Sequence, residues 1–440
     1  MSVLLLELNE INFDDVRRYV AMGFLPTLGA LIAKHGVSET TSEREYDELE
    51  PWIQWVTAHS GLSLADHGVF RLGDILAHDD IVQIWEVLEA QGLSVGAISP
   101  MNASNRCVDP AFFVPDPWTA AKVSGPNMLK RLYAPIAQAV NDNATGRITA
   151  RSAVDLILGL LAYARPANYT RYVALVAAAA KGDKWAKAMF LDTLLADVFI
   201  RSVAKSRPQF ASLFLNAGAH IQHHYLFNSK VYEGEGRNPD WYVAADRDPV
   251  LEVYSLYDRT VAQIIAAFPQ SRILMATGLH QNPHGTTTFY WRIRDHESFL
   301  KTHDVPFERV EPRMSRDFLI YCRDADEALR AEARLAQCVG ESGERLFSVD
   351  NRGDSLFVML SWPHDIPTDF TYRVGNSSRG GLRDSVSFVA IKNGEHDGVG
   401  YFIDTGVDEA SERFALADLP RRIAEACGAT WHPPGAPAQA

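Results

Sequence analysis

Cysteine is scarce in this chain: four residues in 440, at Cys107, Cys322, Cys338 and Cys427. No two have the spacing of metal ligands, and four isolated thiols form no disulfide framework. They read as reduced core residues. Long apolar runs are missing as well. No uncharged apolar stretch reaches the roughly 18 residues of a membrane-spanning helix. The start, MSVLLLELNE, has no basic segment and is interrupted at Glu7, so it does not read as a signal peptide. The cytoplasm is the expected location. Positive charge is in deficit too, with 42 Lys and Arg against 55 Asp and Glu. A net charge of −13 argues against a nucleic-acid polymer as partner, because phosphate contacts need clustered Lys and Arg. It leaves room for a local basic pocket. There is no internal repeat. Low complexity is confined to the tail around Pro433-Pro434-Gly435, and 431–440 is expected to be disordered.

What remains is a chain that is 47% hydrophobic, enough for one large α/β core with insertions or for two domains. Val3 to Leu8 is a short apolar run, as in a buried parallel strand. Helical patterns follow from Phe13 and from Thr27, and another from Val82 ends at Gly92 before a strand at Val95 to Ile98. That order predicts an open, mostly parallel sheet between helical layers. In such sheets functional groups collect at the carboxyl ends of strands. Further strands are expected at Ser212 to Leu215 and Arg272 to Ala276, and a strong amphipathic helix at Tyr254 to Phe268. The segment between Ala137 and Lys205 is dense in Ala, Leu and Val and reads as several helices, broken near Arg165-Pro166 and Gly182. The expected organisation is an α/β core over 1–117, a mainly helical insertion over 118–205, the core again over 206–285, a smaller α+β lobe over 286–380, and the last part of the core over 381–430.

Three polar clusters follow strands. The densest is Asn216-Ala-Gly-Ala-His220-Ile-Gln-His223-His224, with three histidines in nine residues. Neutral imidazole is a common metal ligand, and a helix would put His220 and His224 on one face. Gly278-Leu279-His280-Gln281-Asn282-Pro283-His284 reads as a strand end followed by a polar turn. Gly394-Glu395-His396-Asp397-Gly398 reads as a turn between strands. At one sheet edge these histidines would form a metal cage.

The order of these pieces resembles the type I phosphodiesterase and nucleotide pyrophosphatase branch of the alkaline phosphatase superfamily. The resemblance rests on Leu8-Asn9-Glu10, Leu25-Pro26-Thr27-Leu28, His35-Gly36-Val37, Trp55, Ser60-Gly61 and Asp66-His67-Gly68-Val69-Phe70. It continues with Asn216-x-x-x-His220, Leu279-His280 and Gly394-Glu395-His396. It implies an alkaline-phosphatase-like fold, a phosphate-bearing small-molecule substrate and divalent metal. The family's three metal-binding aspartates fall on Asn9, Asn216 and Leu279, however, and its nucleophile falls on Pro51, beside Glu50. Losing three carboxylates removes the charge that offsets two dications. One metal site is therefore expected rather than two, with zinc or manganese held by Asn216, His220, His396 and His280. Glu50 and His280 are the expected catalytic groups, and Trp52, Trp55, Asn9 and His224 the substrate-binding ones. The reaction expected is a divergent phosphodiesterase- or phosphatase-like hydrolysis or transfer on a nucleotide- or sugar-linked substrate. Two alternatives stand beside it. One is a catalytically inactive protein that binds a glycan through Trp52, Trp55, Trp118 and Trp291. The other is a transferase of cell-surface polysaccharide metabolism.

Overall fold

The computed structural model describes residues 2–141, 149–313, 316–410 and 412–432. Most of the tail expected to be disordered, from 433 on, lies outside them.

The chain divides into two compact units. The first comprises 1–234, 244–283 and 394–440, and the second 235–243 and 284–393. The first is built on an eight-stranded sheet. Its strands in spatial order are Phe414–Ala415, Ser38–Thr41, Val399–Asp404, Arg272–Ala276, Val3–Leu8, Phe210–Leu215, Val95–Ile98 and Phe112–Val114. Every pairing is parallel except the two made by Val399–Asp404. The strands Val3–Leu8 and Phe210–Leu215 are buried at every position, which is why they read as mostly apolar runs and not as alternating ones.

Alternation still sorts their side chains. Val3 and Leu5 pack on one face with Trp55, Ala58, Ile84, Trp85 and Ile423. The helices Pro51–Ser60, Ile84–Ala90 and Leu419–Ala426 supply that layer. A second group, Ala186–Ser206, Ala217–Tyr225 and Pro249–Ala267, packs together and includes the expected amphipathic helix. The helical segment consists of Asn127–Asn141, Ala150–Tyr163, Tyr169–Lys181 and Ala186–Ser206, interrupted at Arg165-Pro166 and at Gly182. Gly182 closes a helix with φ of 106°, a conformation that favours glycine.

The second unit has a four-stranded antiparallel sheet, Phe347–Asn351, Ser355–Leu360, Asp317–Tyr321 and Arg309–Pro312. Its own core includes Trp291, Phe299, Phe318, Leu356 and Trp362. Two expectations of turns are corrected. His280–Ile293 and Val386–Asp397 are long strands that pair with each other, so His280 and His396 both lie on strands.

His67 gives the first unit a measurable pH dependence. The ring is 3% exposed. Its Nδ1 accepts the Val69 N–H at 3.0 Å, and its Nε2 faces the Thr57 hydroxyl at 3.3 Å. Protonating Nδ1 would remove the Val69 bond. Burial, with the nearby His78, pushes the ring down from 6.5 to about 4. The unfolded chain therefore takes up this proton first as pH falls. Stability contributed by the neutral ring is intact above 6.5 and lost between 6.5 and about 4. In His67→Gln the acid-side loss should shrink by about 2 kcal/mol, read from denaturant midpoints across that window. Identical pH slopes in the two proteins would refute this role.

Candidate functional site

Glu10 ends the strand Val3–Leu8 at the carboxyl edge of the sheet. Its N–H donates to the Thr277 carbonyl at 3.1 Å, and the neighbouring Asn9 N–H donates to Leu215 at 3.1 Å. Glu10 adopts φ of 60°, the left-handed region. For a residue with a Cβ this costs roughly 1–2 kcal/mol. The turn separates two side chains that the sequence sets side by side. Asn9 stays on the face of Val3, Leu5 and Glu7. It accepts the Trp55 indole N–H at 2.6 Å and donates to Asn216 Oδ1 at 2.8 Å and Glu10 Oε1 at 2.9 Å. Glu10 carries its carboxylate to the histidines.

The helix Ala217–Tyr225 brings His223 to Glu10. Its buried side includes Ala219 and Gln222, and Gln222 donates its amide to the Glu10 carbonyl at 2.8 Å. Tyr254 donates in turn to Gln222 Oε1 at 2.6 Å, which fixes that amide. His396 arrives from the far end of the sequence. Because Val399–Asp404 is antiparallel to Arg272–Ala276, its start lies at the edge where that neighbour ends.

Three donor atoms meet there. Glu10 Oε2 is 3.2 Å from His223 Nε2 and 3.1 Å from His396 Nε2, and the two Nε2 atoms are 3.2 Å apart. A tetrahedral ion with bonds of 2.0–2.1 Å has ligands roughly 3.3 Å apart, so the triangle has the size of one face of such a shell. The chemistry also fits. Two imidazole nitrogens and a carboxylate oxygen converging on one point present lone pairs to a cation. Among the described residues this is the one group of three or more such donors close enough to hold a metal ion. Burial would push the Glu10 carboxyl up, but the His396 and His223 rings outweigh it and hold the group well below the usual carboxylate range. Asn9 and Gln281 also donate to it.

Glu50 stands behind His396, its Oε2 3.9 Å from Nδ1. It is the N-cap residue of Pro51–Ser60, with Pro51 in the first turn, yet its side chain makes no capping hydrogen bond. Its carboxylate is turned instead towards His396. At that distance the carboxylate acts on the ring through its charge, beyond hydrogen-bond reach.

Several expected site residues have other employment. Asn216 Oδ1 accepts from the Asn9 amide that also donates to Glu10, and its N–H donates to Asp192. His220 is exposed and its ring contacts His224, 5.1 Å away; neither belongs to the triangle. His280 lies with Nδ1 on the Val399 carbonyl at 2.5 Å and Nε2 beside Asn282 Oδ1 at 3.2 Å, while Asn282 donates to Asp397. It belongs to that network and not to the donor group. Trp55 is 0% exposed and Trp291 1%, each in the core of its own unit. Trp52 and Trp118 pack against the first core, and Trp52 donates to the Phe70 carbonyl at 3.1 Å. Trp55 and Trp291 are thus core residues of separate units.

Glu10 and His223 are the functional candidates that sequence reasoning missed. Glu10 was visible as the carboxylate just past the end of a mostly apolar strand. His223 was visible as the histidine beside Ala219 and Gln222, the small and amide side of its helix.

Gly394 carries a test of this geometry. A Cβ there would lie 3.1 Å from the Gln222 carbonyl and would collide with Gln281 Oε1. Gly394→Ala should force the Gln281 amide off Glu10, lowering stability by about 1–3 kcal/mol and weakening metal retention. A variant with unchanged denaturant midpoint and metal content would show that Gln281 does not support the site.

The fold and site define an α/β protein with a mostly parallel sheet and a His–His–Glu group able to hold a metal ion at its carboxyl edge. No family model matches the sequence, and no curated protein matches it. Among solved structures, the chain is similar to phosphonoacetate hydrolase from Sinorhizobium meliloti 1021, with 13% identity, a TM-score of 0.46, and 98% of this chain and 95% of that one covered. It is similar to murine ectonucleotide pyrophosphatase/phosphodiesterase 5 at 10% identity, a TM-score of 0.43, and 98% and 96% coverage. It is also similar to a variant of alkaline phosphatase PafA at 10% identity, a TM-score of 0.45, and 97% and 95% coverage. These identities transfer no residue role.

Proposed function

We propose that this chain is a divergent, single-metal member of the alkaline phosphatase superfamily that hydrolyses or transfers a small phosphate-bearing group. The carrying observation is the Glu10–His223–His396 triangle with Glu50 aimed at the outer nitrogen of His396. A divalent ion bound there, zinc or manganese, would supply Lewis-acid polarisation of a phosphoryl oxygen. Glu10 contributes the one negative charge among the three ligands. Glu50 keeps a side chain 36% exposed, open enough to take a proton from an attacking water or hydroxyl. It also sits at the N-terminus of Pro51–Ser60, whose dipole favours an anionic substrate. Nucleotide- and sugar-linked phosphates are the substrates this reading favours. The cytoplasmic reading is supported by four free cysteines, as found in reducing compartments. Among the described residues no helix is long and apolar enough to cross a membrane.

The test is elemental analysis of the purified chain, paired with turnover of nitrophenyl phosphomonoesters and phosphodiesters. About one zinc or manganese per chain is expected. Turnover should disappear on chelation and return on adding the ion. A chain that takes up no divalent ion and turns over neither ester would overturn the reading.

A further inference from the structure

The four helices between 127 and 207 carry more apolar surface than packing uses. Ala150–Tyr163 buries Asp155 and Gly159, and a Cβ on Gly159 would meet Leu132 of the preceding helix. Its residues Val154, Ile157 and Leu161 nevertheless point outward, Leu161 being 77% exposed. Tyr169–Lys181 buries Tyr172 and Leu175, and the Tyr172 hydroxyl donates to Asp197 at 2.9 Å. Tyr169, Val173 and Val176 point outward, Val173 being 70% exposed. Each helix therefore has one face already packed and a second apolar stripe at i, i+3 or i+4, and i+7. A surface helix ordinarily presents polar residues there.

Charge gathers in the same segment. Residues 127–207 hold twelve Lys or Arg and five Asp or Glu, a formal +7 in a chain of −13. Arg151, Lys181, Lys184 and Lys187 are exposed on or between these helices. An apolar stripe amid surplus positive charge matches a surface of apolar chains under anionic headgroups. It is a poor match to a second copy of itself, since a two-fold contact through this segment would bring +7 against +7.

We propose that the helices Ala150–Tyr163 and Tyr169–Lys181 dock on an anionic lipid bilayer, with Val154, Ile157 and Leu161 and with Tyr169, Val173 and Val176 entering the headgroup boundary. The helices lie on the bilayer and do not cross it. The docking is independent of the metal reading, so either can fail alone.

The experiment is co-sedimentation of the full chain with phosphatidylcholine vesicles, with and without about a third phosphatidylglycerol. Binding is expected only with phosphatidylglycerol and should weaken as salt rises. The double variant Ile157→Asp, Leu161→Asp and, separately, Val173→Asp, Val176→Asp should each weaken partitioning about tenfold or more. Circular dichroism checks that each variant is folded, and if one pair is not, the other decides. Lys184→Glu with Lys187→Glu should also weaken binding. No sedimentation with either vesicle would overturn the proposal, as would equal sedimentation of all variants. A concentration-dependent dimer that Ile157→Asp dissolves, without vesicle binding, would assign the stripes to a second copy.

Discussion

Glu10→Gln should leave the purified protein without its metal ion. The substitution keeps the shape of the side chain and removes the one charged ligand. It also places an amide N–H₂ where the carboxylate accepts from Asn9 and Gln281. Whichever way the new amide turns, a donor faces a donor in a buried site, at a cost of about 1–3 kcal/mol. Loss of a supporting hydrogen bond lowers metal affinity about 10–100-fold, so loss of a charged ligand should exceed 100-fold. Competition with a chelator measures this directly. Denaturation in the presence of the chelator isolates the part that does not depend on metal. A variant with full metal content would remove Glu10 from the ligand set, and with it the proposed centre.

Turnover should fall by about 10²–10⁴ in Glu50→Gln, the usual contribution of a general acid or base. Metal content should stay close to that of the parent, because Glu50 lies behind His396 and outside the donor triangle. Stability should change modestly: the side chain makes no capping bond, and a charge at a helix N-terminus is worth about 0.3–1 kcal/mol. Three readings separate on these numbers. A lost reaction with metal and midpoint retained assigns the proton transfer to Glu50. A lost metal assigns it to holding His396. Full activity ends the case for this residue.

The sheet was legible because buried parallel strands announce themselves as apolar runs. Val3–Leu8 matches its expected bounds, and the expected Ser212 to Leu215 lies within Phe210–Leu215. The site was legible to the level of the strand end and no further. Period-two alternation already puts Asn9 on the face of Val3, Leu5 and Glu7, under the helix that carries Trp55. What no periodicity reveals is a left-handed residue at Glu10, which turns the next side chain out of register. At the helix Ala217–Tyr225, the spacing of His220 and His224 correctly describes a shared face. Which face turns inward depends on Gln222 and Gln281 gripping the backbone of Glu10 and Ala219, contacts between residues far apart in sequence. The turns expected at His280 and His396 are strands because each pairs with the other's segment, again a distant partner.

The antiparallel strand Val399–Asp404 has a consequence for synthesis. Among the described residues it is the strand that joins Ser38–Thr41 to Arg272–Ala276, and the segment before it delivers His396. During translation, Glu10 and His223 emerge long before their third partner. At 5–20 residues per second, the 173 residues between His223 and His396 take roughly 9–35 s. Until His396 and the strand after it are made, two of the three donors are present and Ser38–Thr41 lacks its neighbour Val399–Asp404. On the proposed centre, metal capture would wait for His396, and a fragment ending before it would carry two of the three ligands however much of its sheet had formed.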